Sequence, residues 1–342
     1  MIEKRVSLKL ALMSFVAAVL VVCIHAPVTR EPGFSMWFED FFGSKIPSVA
    51  VPFFFVASGY FLANRMESQG YSVQLKKRIV TLLIPYLIWC VMLGALENCN
   101  SLLANIVNHY PLMRHIETNP IHIFGLDLTR NPPLPLWFLR ALMLYVIASP
   151  VLLWIARRKY MLLAFAGSLV LFACTKNLYI PQGLSSVFAF TFAPVNILAF
   201  TMGLHFSCNP RMVSMSAGKV FLIGGMTSFF SLSIFKILSV PMPYAVGTLM
   251  RLCAVGLALA GAWSVCPALE LPRLLRGQSF PIYLCHAIFV PYVLLFSQKF
   301  PFMLGWGGFV MNVILLVFGS LIVSHLLHRH MPRFCKVIFG GR

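Results

Sequence analysis

Ten apolar runs of bilayer-spanning or nearly spanning length constrain this chain more than any other feature. They fall at roughly 8–26, 48–64, 79–97, 135–156, 160–176, 184–206, 219–239, 244–266, 279–298 and 305–327. A hydrocarbon core ~30 Å thick takes about 20 apolar residues as a helix. Backbone polar groups in lipid must also be satisfied within the chain. The runs therefore predict an all-α, polytopic membrane protein of about ten transmembrane helices, the second and fifth being the shortest. Composition agrees, with 59% hydrophobic residues, 11% charged and a mean hydropathy of +0.85, well beyond what a soluble core uses.

The net charge of +18 comes from 27 Lys and Arg against 9 Asp and Glu. In a soluble protein that balance would point to nucleic acid. Here the cations lie between the apolar runs, where they orient helices and need no nucleic-acid partner. A cytoplasmic N-terminus puts 18 basic residues in inner connections and 7 outside or at outer helix ends. Arg140 and Arg251 fall within helices. This asymmetry predicts that both termini are cytoplasmic. The first run has no convincing cleavage site and is expected to stay as an uncleaved helix.

Two outer connections are long. The first, about 27–47, mixes Met36, Trp37, Phe38, Phe41 and Phe42 with Glu39 and Asp40, which suits a segment lying in the interface. The second, about 98–134, carries Asn98, Asn100, His109, His115, His122 and Asp127, then Pro132, Pro133 and Pro135. It is either an ordinary solvated loop or part of an acceptor surface. Its histidines lack a zinc spacing, so no metal is expected. The nine cysteines include no CxxC and lie mostly in helices, which argues against a disulfide framework.

Function must come from polar groups inside the membrane. His25 closes the otherwise apolar run ALMSFVAAVLVVCIHA, and an ionisable group so placed is a functional candidate. Four further stretches follow in order: VPFFFVASGYFLANR at Val51–Arg65, KKRIVTLLIPYLIW at Lys76–Trp89, PLWFLRALMLY at Pro135–Tyr145 and GQSFPIYLCHA at Gly277–Ala287. With His25 ahead of them, this set resembles the acyltransferase-3 family of multipass membrane acyltransferases. The resemblance spans nearly the whole chain and implies one integral membrane domain; with about 15 residues after the last run, no appended soluble domain is expected. It implies transfer of an acyl group, usually acetyl, from cytoplasmic acyl-CoA to a hydroxyl, usually of a cell-envelope carbohydrate. It also implies a bacterial inner membrane. The family's first-helix motif is an Arg, ten residues, then His. His25 fits the second element, while Ser14 stands at the Arg position, so the role of that Arg is absent or supplied elsewhere.

Eleven residues make about three helical turns, so Ser14 and His25 share a face ~16 Å apart along the axis, a face that could line a channel. The implied reaction asks for a base, and His25 is the choice. It asks for an oxyanion donor, for which Arg140 and Arg251 are candidates at a depth similar to His25. It asks for cations at the CoA phosphates, which Arg65, Lys76, Lys77 and Arg78 could supply. Trp137, Tyr283 and His286 are further channel-lining candidates. Ser58 and Gly59 suit close helix packing, and His205 and His325 are expected to be hydrated at inner helix ends. Cys23 lies ~200° round the helix from His25, which disfavours a Cys–His nucleophile. Two other readings stay open at this point: a transporter or flippase of a lipid-linked sugar, and an inactive relative acting as a scaffold.

Overall fold

The computed structural model describes residues 4–26, 34–107, 118–124, 126, 133, 135–174, 193–209, 211, 218–300 and 305–341. Among them every regular element is helical. The helices are α1 (Lys4–His25), α2 (Phe34–Asp40), α3 (Ala50–Gln69), α4 (Tyr71–Arg78), α5 (Ile84–Val107), α6 (Pro120–Ile123) and α7 (Trp137–Ala156). They continue with α8 (Lys159–Cys174), α9 (Pro194–Cys208), α10 (Gly218–Ile237), α11 (Tyr244–Val265), α12 (Ser279–Lys299), α13 (Gly305–His330) and α14 (Pro332–Ile338). Eight helical stretches among the described residues are long and apolar enough to span a bilayer. The all-helical membrane architecture stands. The fifth and sixth predicted runs correspond to α8 and α9, of 16 and 15 residues in their described parts, so the count of ten is not reached here.

Two spans are longer than their apolar runs because helix continues through prolines. A π-helical turn at Phe41–Lys45 ends two residues before Pro47, and another at Ile79–Leu83 ends two residues before Pro85. Proline has no N–H and its ring collides with the carbonyl four residues back. Widening the preceding turn accommodates both effects without breaking the helix. Helix is thereby unbroken from α2 through α3 and from α4 through α5.

Small residues set the closest helix contacts. A side-chain carbon added at Gly59 of α3 would lie 2.2 Å from the Phe200 carbonyl oxygen, and one at Gly203 of α9 would lie 2.1 Å from that of Val56. Each glycine thus sits on the other helix's backbone, as the sequence predicted for Gly59. α12 and α13 form an antiparallel hairpin tied at both ends. Ser324 Oγ donates to Gln278 Oε1 at 2.6 Å and Ser297 Oγ to Asn312 Oδ1 at 3.2 Å.

The acidic pair of the first long connection behaves unlike an interfacial segment. Glu39 and Asp40 are both buried. Asp40 accepts from Ser233 Oγ at 2.8 Å and from Lys236 Nζ, with Lys45 Nζ at 3.6 Å. Trp37 and Phe41 pack on Phe230, and Phe38 meets Trp306 and Phe309. A carboxylate with two ammonium partners and a hydroxyl can be taken out of water, which explains why the segment packs inward. His205 is a second correction. It is buried, not hydrated, and its ring N–H donates to the Ala156 carbonyl at 2.6 Å, tying α9 to the end of α7.

Candidate active site

His25 is the last residue of α1, and its ring stacks on that of His286 in α12, with centroids 5.3 Å apart and planes 27° from parallel. His286 is essentially inaccessible to solvent, whereas His25 is half-buried. The Nδ1 of His286 lies 3.1 Å from the Ile282 carbonyl, which can only accept, so this nitrogen carries the hydrogen. In the neutral ring the lone pair then sits on Nε2.

One turn before His286, Tyr283 Oη donates to the Pro135 carbonyl at 2.5 Å. That bond fixes the entry to α7, whose first turn carries Trp137 and Arg140. Phe138 in the same turn meets Tyr283 edge-on at 5.7 Å and packs against Phe55 at 4.7 Å and Phe54 at 5.9 Å. Arg140 is buried, and its charge acts on Tyr86 and Cys90 of α5, both buried as well. The four sequence stretches and His25 therefore meet in one contiguous cluster. Phe54 and Phe55 come from the first stretch, Tyr86 from the second, Pro135, Phe138 and Arg140 from the third, and Tyr283 and His286 from the fourth.

Other sequence candidates lie elsewhere. Arg251 is exposed on α11, and its charge acts on Lys45. Among the described residues no hydrogen bond or ring contact joins it to the histidine pair. Ser14 is half-buried on the side of α1 where Ala18 and Val22 pack with Ile282 and Leu316. This face is a packed seam against α12 and α13, which corrects the expectation of an open channel along it.

A cavity of about 670 Å³ runs instead along the Val6, Leu10 and Met13 face of α1, between α3, α9 and α11. None of Ser14, Trp137, Tyr283 and His286 lines it. Arg65, Lys76 and Lys77 are exposed on either side of the turn at Gly70, whose φ of 80° reverses the chain, and Arg78 is half-buried beside them. Lys77 donates to Gln69 Oε1 at 2.7 Å. His109, His115, Asp127 and Pro132 lie outside the described residues. No group of three His, Cys, Asp or Glu among the described residues is arranged to hold a metal ion.

The family model for an acyltransferase domain matches residues 9–329. The chain belongs to the acyltransferase-3 family. Over 170 residues it is 27% identical to the succinoglycan biosynthesis protein ExoH of Rhizobium meliloti (strain 1021). That match covers 44% of this chain and 43% of ExoH, less than half the length of either protein. No solved structure matches the chain. Family membership and the eight apolar helices together make this an integral membrane protein.

Sequence reasoning named His25, Tyr283 and His286 but not the contact between the two rings. The usable signal was the spacing of Tyr283 and His286, three residues apart and so on one helix face. Nothing in the sequence pointed from that face to the end of α1.

Proposed function

We propose that this protein is an acyl-CoA-dependent O-acyltransferase of a bacterial inner membrane, moving an acetyl group to a hydroxyl of a cell-envelope carbohydrate. The observation that carries this reading is the stacked His25–His286 pair at the meeting point of the family-like stretches. A solvent-shielded imidazole beside a half-buried one is suited to general-base work.

In the reaction, the acceptor hydroxyl gives its proton to His25 as its oxygen attacks the thioester carbonyl. The new C–O bond forms, and the negative charge on the carbonyl oxygen faces the guanidinium of Arg140. Collapse of the tetrahedral intermediate breaks the C–S bond. The departing thiolate of CoA takes the proton back from the imidazolium. His286 holds the His25 ring by stacking and is itself fixed by Ile282. Tyr283 is a positioning residue, because its bond to Pro135 sets the start of the helix that carries Arg140 and Trp137. Arg65, Lys76, Lys77 and Arg78 hold the nucleotide phosphates at the cytoplasmic side while the pantetheine arm enters the bundle.

The test is mass spectrometry of envelope glycans from cells with the wild-type protein, without it, and with His25→Ala at equal abundance. The expected result is a mass increment of one acyl group per modified sugar that depends on the protein. It should fall about 10²- to 10⁴-fold in the variant, the usual contribution of a general base. An unchanged increment in His25→Ala removes the imidazole from the mechanism.

A further inference from the structure

The large cavity does not belong to the histidine cluster, and its two ends differ. Its walls are apolar along their length, from Leu252 to Trp263 on α11 and from Pro52 to Tyr60 on α3. Eleven residues of helix give it a length of ~16 Å. Its volume lies in the range of small-molecule sites, ~300–1,000 Å³. At the Trp263 end the cation is already engaged: Lys9 Nζ donates to the Trp263 carbonyl at 2.9 Å and lies 5.2 Å from the ring centroid.

At the Leu252 end stands Arg251, exposed, next in sequence to one lining residue and one turn from another, Val255. Lys45 is close enough to feel its charge, and Lys236 shares Asp40 with Lys45. Two lysines thus divide one carboxylate, and among the described residues no carboxylate pairs with Arg251. An arginine exposed on a membrane-spanning helix is costly unless an anion or water reaches it.

An apolar slot with an unpaired arginine and a carboxylate-sharing lysine at one rim suits an amphiphile with an anionic head. We infer that the slot and its rim form a binding site for a phosphorylated lipid, with the apolar chain beside Val255 and Leu259 and the phosphate against Arg251 and Lys45. Both a membrane phospholipid and a lipid-phosphate-linked glycan carry this chemistry. The acyl-transfer reading favours the second, since the acceptor sugar would then be presented on a lipid anchor. Only that acceptor role rests on the proposed function; binding itself does not.

Gly256 provides the decisive variant. A side-chain carbon added there meets no atom within 4 Å, so the side chain of Gly256→Leu starts in open space on the wall of the slot. The full-length protein in detergent is titrated, without acyl-CoA, with a long-chain polyisoprenyl phosphate, the matching phosphate-free polyisoprenol, and phosphatidylglycerol as competitor. Adducts are counted by native mass spectrometry.

The polyisoprenyl phosphate should bind at least tenfold more tightly than the alcohol. Gly256→Leu and Arg251→Ala should each weaken it at least tenfold at unchanged folded yield, and phosphatidylglycerol should compete poorly. Unchanged binding in Gly256→Leu, or equal binding of alcohol and phosphate, overturns the site. Equal competition by phosphatidylglycerol assigns it to bulk lipid and overturns the acceptor role. Binding lost while glycan acylation persists sinks this inference alone. Binding retained while acylation is absent sinks the proposed function alone.

Discussion

Helices α3 and α9 meet through glycine, whereas the packed seam of α1 and α12 ends in a stacked pair of histidines. At the first seam Gly59 and Gly203 let two backbones touch, so nothing but main chain fits between them. At the second, two imidazoles stack where α1 ends, beyond the stretch in which Ala18 and Val22 pack on Ile282. Close approach of small residues maximises van der Waals contact, which is how helices associate where no hydrophobic drive between them exists. A pair of polar rings gives up some of that contact and places reactive nitrogens inside the bundle. The first seam is therefore expected to govern folding, and the second, chemistry.

The sharpest way to break this division is at the glycines. Gly59→Val or Gly203→Val drives a branched side chain into a carbonyl about 2 Å away, and the helices must separate to admit it. We expect little or no folded protein, read as loss of the monodisperse peak in detergent size-exclusion chromatography. A normal yield would show that the seam is plastic.

Next in size is Arg140→Ala. It should leave the yield near wild type but reduce acyl transfer about 10²- to 10³-fold, the usual loss for an oxyanion donor. Equal loss of protein and activity would make Arg140 a folding residue. His286→Ala should reduce transfer while sparing yield, and His286→Gln, which keeps a side-chain N–H for Ile282, should restore part of it. A Gln variant no better than Ala would show that orientation through this bond is not what His286 supplies.

The smallest effect is expected from Tyr283→Phe. It leaves the Pro135 carbonyl without its buried donor, at a cost of about 1–3 kcal/mol. A lower melting temperature with a modest fall in kcat at unchanged KM would fit a positioning role. No change in either would mean that α7 is held at its entry by its aromatic contacts alone.

The fold was largely legible because bilayer thickness turns apolar run length directly into helices. Of the run at 184–206, residues 184–192 lie outside the described residues, and from Pro194 onward it is helix as expected. The site was legible residue by residue but not as an assembly. Position along a helix gives depth, so His25, Arg140 and Arg251 looked equivalent. Depth says nothing of azimuth, and Arg251 faces outward near Lys45 while Arg140 faces the core. Ser14 was expected on a channel-lining His25 face, yet Ala18 and Val22, one and two turns beyond Ser14, pack against α12 and α13. Asp40 gave a signal that went unused: a carboxylate among five nearby aromatics needs cations, and Lys45 was only five residues away.

The two widened turns ahead of Pro47 and Pro85 carry a consequence for anyone counting residues along these helices. A π turn takes up one extra residue, so everything beyond Leu83 is rotated by about 100° relative to regular α-helical counting, whereas the tighter 3-10 turn at Ile46–Val49 recovers part of the offset after the first. Lys76–Arg78 lie on one side of the second bulge, and Tyr86 and Trp89 on the other. Deleting a single residue between Ile79 and Leu83 would swing the basic segment off its present bearing while leaving every side chain chemically intact. Alignment gaps at these two places are therefore phase shifts, to be scored as rotations and not as losses.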